Sequence, residues 1–382
     1  MDWQHLAEHL AAELDVSKEW RSAFAAIPRH LFVPRIFTNH PGRGWCAVDH
    51  TDSDYLDLVY SDEALITQLD CDPEVWEKIR RDDVYLGGHV TSSSSTPSLM
   101  AAMLDALHVA PGMNVLEVGT GTGYNAAIMC HRLGAKHVTT VDVDPRLVEL
   151  ARERLTGLGY QPATAVTNAV VEVPGGPYDR IITTVGVHRI PRQWLSAVEP
   201  GGLILANLYS DLASNAVFAL TVHDNGTASG QAPTGGYFMP TRDNIMPFNF
   251  TLHDGGEGET DPTQLPGDVL NDFGAFYLFT SLIMRDVQIY FFPTSSGTRP
   301  GLLGRDRSWA YELDGVAVHG GPRNLWRDLE KVHALWEDHG RPDREQLGIT
   351  IIEDQQSLWV GSPDQVVHTE TDTGASSVSH KG

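Results

Sequence analysis

The sharpest change in the apolar and polar pattern falls at Val115–Tyr124. There an apolar run interrupted by Glu117 breaks into glycines at 119, 121 and 123 and resumes as a helical pattern over Tyr124–Cys130. That order predicts a buried strand, a tight turn and a helix whose N-terminus faces the turn. Strand-like and helical stretches then alternate: a strand over His137–Val141, a helix over Pro145–Leu158, strands over Ala163–Val166 and Tyr178–Thr184, a helix over Arg192–Val198 and a strand over Gly202–Asn207. Alternation of this kind predicts a mostly parallel, doubly wound sheet with helices on both faces. Phe218–His223, the turn Asp224-Asn225-Gly226 and Gly236–Pro240 predict a closing antiparallel hairpin.

The flanks have different patterns. Residues 1–35 predict an amphipathic helix and a second short one, ended by prolines, and residues 38–90 are acidic and irregular, as expected of a surface cap. Leu99, Met103 and Leu107 mark a helix leading into the glycine-turn strand. Asp254–Gly267 is rich in Gly, Pro and acids and predicts a linker. Beyond it lie apolar Phe276–Phe279, Val287–Phe292, a helix with Leu325, Trp326, Leu329, His333 and Trp336 on one stripe, and short strands at Ile349–Ile352 and Leu358–Val360. The polar segment from Thr369 to Gly382 predicts a disordered tail. The resulting plan is a cap over 1–90, a nucleoside-cofactor domain over 91–242, an α+β extension over 243–367 and a tail over 368–382.

The formal charge of −23 opposes binding to nucleic acids or anionic membranes, which relies on Lys and Arg clusters. No apolar run is long enough to span a bilayer, and the N-terminus lacks a signal-peptide plan, so a cytoplasmic location is expected. Cys46, Cys71 and Cys130 are odd in number and far apart, as expected of free thiols. His5 and His9 lie one turn apart with no third ligand in view, so a solvated helix face is expected and no metal site.

Two acids refine the glycine turn. Glu117 stands where a carboxylate suits a sulfonium-bearing zwitterion better than a pyrophosphate. Asp142 ends the next strand, placed to accept from ribose hydroxyls, a feature that dehydrogenases share. S-adenosylmethionine is therefore the expected cofactor. A dinucleotide remains an alternative, because Gly121, Gly123 and Ala126 also satisfy that pattern.

Several further motifs then follow in order: Pro28-Arg29-His30-Leu31-Phe32-Val33-Pro34, Tyr60-Ser61-Asp62, Ser95-Thr96-Pro97, the turn itself, Tyr178-Asp179-Arg180-Ile181 and Glu199-Pro200-Gly201-Gly202. Over about residues 20–242 the chain resembles the protein-L-isoaspartate O-methyltransferase family. The resemblance implies a Rossmann-like class I methyltransferase fold with an N-terminal helical cap and a C-terminal α+β extension. It also implies carboxyl O-methylation of a peptide. The expected cofactor contacts are Glu117, Gly119, Thr120, Gly121, Gly123, Tyr124, Asp142, Val143 and Asn168, the last standing where the family has an acid. Ser98 replaces a His found in some repair enzymes, and Ala206-Asn207-Leu208 replaces the family's Pro-Val-Gly substrate loop. The Thr91–Ser95 run, Phe238-Met239-Pro240 and the Trp-rich extension resemble enzymes of ribosomal peptide maturation in graspetide or lanthipeptide systems. For those the acceptor is an aspartate of a modified precursor peptide, and the ester goes on to aspartimide or isoaspartate.

A carboxylate is already ionised at neutral pH, so methyl transfer to it needs orientation and no general base. Ser95 is the candidate for holding that carboxylate, with Ser94, Thr96, Ser98, His188 and Asn207 around the substrate. The competing role for Ser95 or Thr96 is a plain helix cap. His188-Arg189 is equally an ordinary surface pair. Trp309, Trp326, Trp336 and Trp359 are candidates for a peptide groove, with a core role preferred for at least Trp326 and Trp336, which fall on a helical stripe. General isoaspartate repair is the first alternative function, separated by an ordinary isoaspartyl peptide. A nonenzymatic cofactor-binding peptide escort is the second, separated by turnover.

Overall fold

The computed structural model describes residues 2–371, apart from positions 41, 43, 83, 84, 86, 213, 243–257, 272, 273, 295 and 296. The expected tail beyond Thr371 and residues 254–257 of the expected linker lie outside the described residues. The chain forms two compact units, one of residues 1–185 and 193–206 and the other of residues 186–192 and 207–382.

The first unit begins with α1 (Trp3–Glu13) and α2 (Lys18–Ala26), as the amphipathic pattern predicts. Asp2 caps α1 by accepting from the Gln4 amide at 3.1 Å. The acidic stretch that follows is not irregular. It folds as β1 (Arg35–His40), β2 (Gly44–Asp49), α3 (Tyr55–Val59), β3 (Leu65–Leu69), α4 (Val75–Asp82) and β4 (Val90–Ser94), the strands forming an antiparallel sheet in the order β2-β1-β3-β4. Ile36, Phe37, Leu65 and Leu69 point inward from it and pack in two clusters, with Val59 and Tyr55 in one and Trp76 and Ile79 in the other.

Then come α5 (Pro97–Ala106), β5 (Val115–Val118), α6 (Tyr124–Leu133), β6 (Val138–Asp142), α7 (Pro145–Gly157), β7 (Ala163–Val166), β8 (Tyr178–Val187), α8 (Arg192–Ala197) and β9 (Val198–Leu208). The strands run in the order β9-β8-β5-β6-β7, and β5 pairs in parallel with both β6 and β8. All four residues of β5 are buried. Burying the three apolar side chains, Val115, Leu116 and Val118, contributes about 1.5–3 kcal/mol each, so β5 anchors the turn that follows it. Asp144 starts α7 by accepting from the Arg146 amide at 2.9 Å, with Pro145 at the first helical position.

The second unit holds β10 (Ala216–Val222), β11 (Ala228–Gly235), β12 (Glu259–Pro262), α9 (Ala275–Ile283), β13 (Val287–Thr294), β14 (Gly297–Gly304), β15 (Trp309–Leu313), β16 (Val316–Gly320), α10 (Leu325–Asp338), β17 (Leu347–Ile352), β18 (Gln355–Val360) and β19 (Val366–Thr371). One set of strands runs β10-β11-β17-β18-β19 and another β12-β16-β15-β14-β13, antiparallel within each set. The hairpin turn at Asp224-Asn225-Gly226 is where the sequence puts it, but its second strand is β11 and not Gly236–Pro240. Glu259–Pro262, within the expected linker, is a strand paired with β16. Trp309, Trp326 and Trp359 are buried, so Trp309 and Trp359 are core and do not line a groove. Trp326 donates to Thr263 at 3.0 Å and Trp359 to Thr350 at 3.0 Å. Among the described residues no helix is long and apolar enough to cross a membrane.

Candidate active site

The glycine turn is held from three sides. The Gly119 and Thr120 amides donate to the Val141 carbonyl at 2.8 and 3.0 Å, and the Gly121 amide donates to Asp142 Oδ2 at 3.0 Å. From β8, the Thr184 hydroxyl donates to the Gly119 carbonyl at 2.6 Å. Gly119 and Gly123 adopt φ of +103° and +86°, and a Cβ on them would lie 2.6 Å from Thr184 Oγ1 and 2.9 Å from Ala151 Cβ. These two glycines thus let the turn pack against β8 and α7. At Gly121, φ is +50° and a Cβ would meet the Ser93 carbonyl of β4 at 3.5 Å.

Glu117 takes a supporting position and not the direct ligand contact its sequence place suggests. It is fully buried, and its oxygens accept from Thr140 at 2.6 Å and Asn125 at 2.7 Å. It therefore ties β5 to β6 and to α6. Burial raises its carboxyl to about 7, against the lowering effect of both hydrogen bonds. Thr120 is likewise buried, 2.7 Å from Thr140. Tyr124 sends its ring away from the turn into Phe24 and Phe32, at centroid distances of 6.3 and 5.7 Å, and burial pushes its hydroxyl up to about 12. Asp142 remains half-buried at the end of β6, Val143 beside it is 39 % exposed, and Asn168 Oδ1 accepts from the Val170 amide at 3.1 Å.

The serine run is β4 and the turn after it. Ser92 and Ser94 are buried, whereas Ser95 is half-buried at the start of α5. Thr96 occupies the N-cap position with no side-chain cap bond, and the Ser98 amide instead donates to Asp62 Oδ1 at 2.8 Å. Ser95 is thus spared the capping role. The Ser95 carbonyl accepts from Arg29 Nη2 at 3.2 Å. Gln68 of β3 connects the same sheet to the cofactor strands, donating to Asp144 Oδ2 at 3.2 Å and accepting from Thr91 at 2.9 Å.

The two remaining expected substrate residues lie in the second unit. Asn207 is fully buried and donates to the Gly236 carbonyl at 2.7 Å, so it fixes the hairpin and does not face a substrate. His188 is half-buried with its ring against Tyr209 at 5.2 Å. Burial lowers its pKa despite the opposing effect of Asp211. Arg189 is engaged by Glu370 at 3.3 Å. His5 and His9 are exposed, and no group of metal-ligating side chains occurs among the described residues. Arg29, Gln68, Thr140 and Thr184 were not singled out by sequence; for Arg29 the surrounding proline motif was the available signal.

The family model described as Protein-L-isoaspartate(D-aspartate) O-methyltransferase (PCMT) matches residues 73–245. A protein-L-isoaspartate O-methyltransferase of Thermococcus onnurineus is 30 % identical over 207 residues, covering 53 % of this chain and 76 % of that protein. This chain belongs to the protein-L-isoaspartate O-methyltransferase family. Those of Ignicoccus hospitalis and Thermotoga maritima are 37 % and 32 % identical, covering 35 % and 50 % of this chain. The chain spans 64 % and 50 % of the length of these two relatives. A solved protein-L-isoaspartate O-methyltransferase superposes with a TM-score of 0.52 at 22 % identity, covering 91 % of this chain and 96 % of that one. The fold is that of a class I methyltransferase with an added C-terminal β-rich part, and the family uses S-adenosylmethionine.

Proposed function

We propose that this chain is an S-adenosylmethionine-dependent carboxyl methyltransferase acting on isoaspartyl residues of peptides or proteins. The observation that carries the reading is the crossing of β4 over the glycine turn. The Ser93 carbonyl lies 3.5 Å from where a Cβ on Gly121 would be, so the serine strand and the cofactor turn form adjacent walls. The residues present fit the cofactor. The turn has glycines at positive φ, the half-buried Asp142 carboxylate stands beside it where ribose hydroxyls would donate in addition to the Gly121 and Asp144 amides, and the exposed Val143 offers an apolar face to a base.

When bound, the cofactor supplies a methyl group on a sulfonium. The chain's own task is to hold an ionised carboxylate in line with it and keep water away, a contribution that reaches about 7–11 kcal/mol in well-oriented systems. The Ser95 hydroxyl donates toward the carboxylate, and Arg29 holds the Ser95 turn from behind. Incubation with S-adenosylmethionine and an isoaspartyl peptide, followed by detection of the methyl ester, tests the proposal. Cofactor binding without turnover on any carboxylate substrate leaves only the escort role.

A second reading has the acceptor as an aspartate of a modified precursor peptide, the ester then closing to an aspartimide. The Thr91–Ser95 run supports it, but the burial of Trp309 and Trp359 removes the groove it drew on. Mass spectrometry of such a peptide would show gain of a methyl group and then net loss of water.

A further inference from the structure

Arg29 is fully buried, and a guanidinium in that setting needs acceptors for its fork of donors. It finds them in main-chain carbonyls: Nη1 donates to Val59 and Ser61, both at 2.9 Å, and Nη2 to Glu63 at 2.9 Å and Ser95 at 3.2 Å. Its carbon lies 5.8 Å over the ring of Tyr124, the first residue of the helix that leaves the glycine turn. Asp62, between two of the acceptors, takes the Ser98 amide at 2.8 Å and so ties the same loop to the start of α5. One rigid cation therefore touches the loop of residues 59–63, the Ser95 turn and the cofactor-side helix. Lysine cannot reproduce this, because its single ammonium lacks the planar fork.

We propose that Arg29 is a positioning residue for methyl transfer, fixing the Ser95 main chain against the 59–63 loop and Tyr124 so that the serine hydroxyl meets the acceptor carboxylate at a set place beside the glycine turn. The inference rests on Ser95 as the carboxylate-binding group of the proposed reaction. It differs from a plain anchoring role in what it makes sensitive. An anchor changes the amount of folded protein and leaves turnover per folded molecule alone, whereas a positioning group changes turnover itself.

The test uses the full chain, S-adenosylmethionine and an isoaspartyl peptide, with Arg29→Lys and Asp62→Ala as variants. Asp62 is exposed, so its removal loosens the same turn without opening the core. For each, kcat and peptide KM are measured per folded molecule, together with cofactor affinity and amide hydrogen exchange over residues 93–100. Arg29→Lys should lower kcat about tenfold to a hundredfold, the scale of an ångström of misplacement. Cofactor affinity should be retained, and exchange at Ser95 and Ser98 should quicken. Asp62→Ala should move the same readouts in the same direction, and it decides the matter if Arg29→Lys does not fold. Wild-type kcat in the deciding variant, or unchanged exchange at the turn, overturns the proposal. The underlying reading fails separately: Ser95→Ala would then keep the wild-type kcat while exchange in Arg29→Lys still quickens.

Discussion

Asp142 Oδ2 accepts the Gly121 amide at 3.0 Å, so the acid at the end of β6 shapes the glycine turn directly. Its other oxygen accepts from the Asp144 amide at 3.1 Å, at the start of α7. Asp142→Ala should therefore weaken S-adenosylmethionine binding twice over, by losing a ribose acceptor and by loosening the turn. Each charge-assisted hydrogen bond lost is worth about 1.5–3 kcal/mol. Calorimetric affinity equal to that of the wild type would place the ribose elsewhere.

Ser95→Ala removes the proposed donor to the acceptor carboxylate. A hydrogen bond to a charged group of about 1.5–3 kcal/mol corresponds to a slowing of roughly 10- to 150-fold. The loss should appear in turnover with an isoaspartyl peptide, while cofactor affinity stays as it is. A wild-type rate would reduce Ser95 to a bystander of the turn.

Two glycines of the turn, Gly121 and Gly123, should differ in tolerance. Gly123→Ala puts a methyl group 2.9 Å from Ala151 Cβ at a φ of +86°, so overpacking and backbone strain add. Gly121→Ala meets the Ser93 carbonyl at an ordinary 3.5 Å. Gly123→Ala should cost about 2–4 kcal/mol and Gly121→Ala about 1 kcal/mol in denaturant unfolding. The reverse order would show that α7 yields more readily than β4.

Glu117 gives a pH dependence of known sign. Its folded carboxyl is raised to about 7 by burial, from an ordinary value of 4.5, so between these values the folded state binds more protons than the unfolded one. Its contribution to stability is present at low pH and falls as pH rises through that window, by roughly 3 kcal/mol at most. The lowered pKa values of His30 and His188 act in the opposite direction up to the ordinary histidine range. The readout is therefore the difference between wild type and Glu117→Gln. That difference in unfolding free energy should shift in favour of the variant from pH 5 to pH 8. A flat difference would mean the carboxylate stays ionised in the fold.

The parallel strands around the turn were legible because each is a compact apolar run between helices with clear signals, as at Val115–Val118 and Pro145–Gly157. The cap sheet was not. β1 buries only Ile36, Phe37 and in part Thr38, and β4 is a valine and a threonine followed by three serines, so neither shows apolar alternation. β11 is equally hard to read, being made of small residues. Gly230 has no room for a Cβ, which would fall 1.8 Å from the Ala219 carbonyl. β12 is built of Glu, Thr, Asp and Pro and is held by pairing with β16, a long-range contact that no local pattern announces. Around the proposed site, the places of the glycines and Asp142 follow from motif spacing, whereas Ser95 is singled out only through the family resemblance. The inward turn of Glu117 and Tyr124 and the bonding of Arg29 depend on packing partners far along the chain.

The serines of β4 also set a thickness. Ser92 and Ser94 are buried, Ser92 accepts from Thr67 at 3.2 Å, and the strand's main chain passes directly over Gly121. A low-complexity run that reads as slack thus works as a shim, with side chains small enough to let one sheet settle onto the turn of another. Exchanging one of these serines for a bulkier strand former such as valine would improve local β-propensity while widening the gap. At this spot, stabilising the strand and preserving its spacing are opposed requirements.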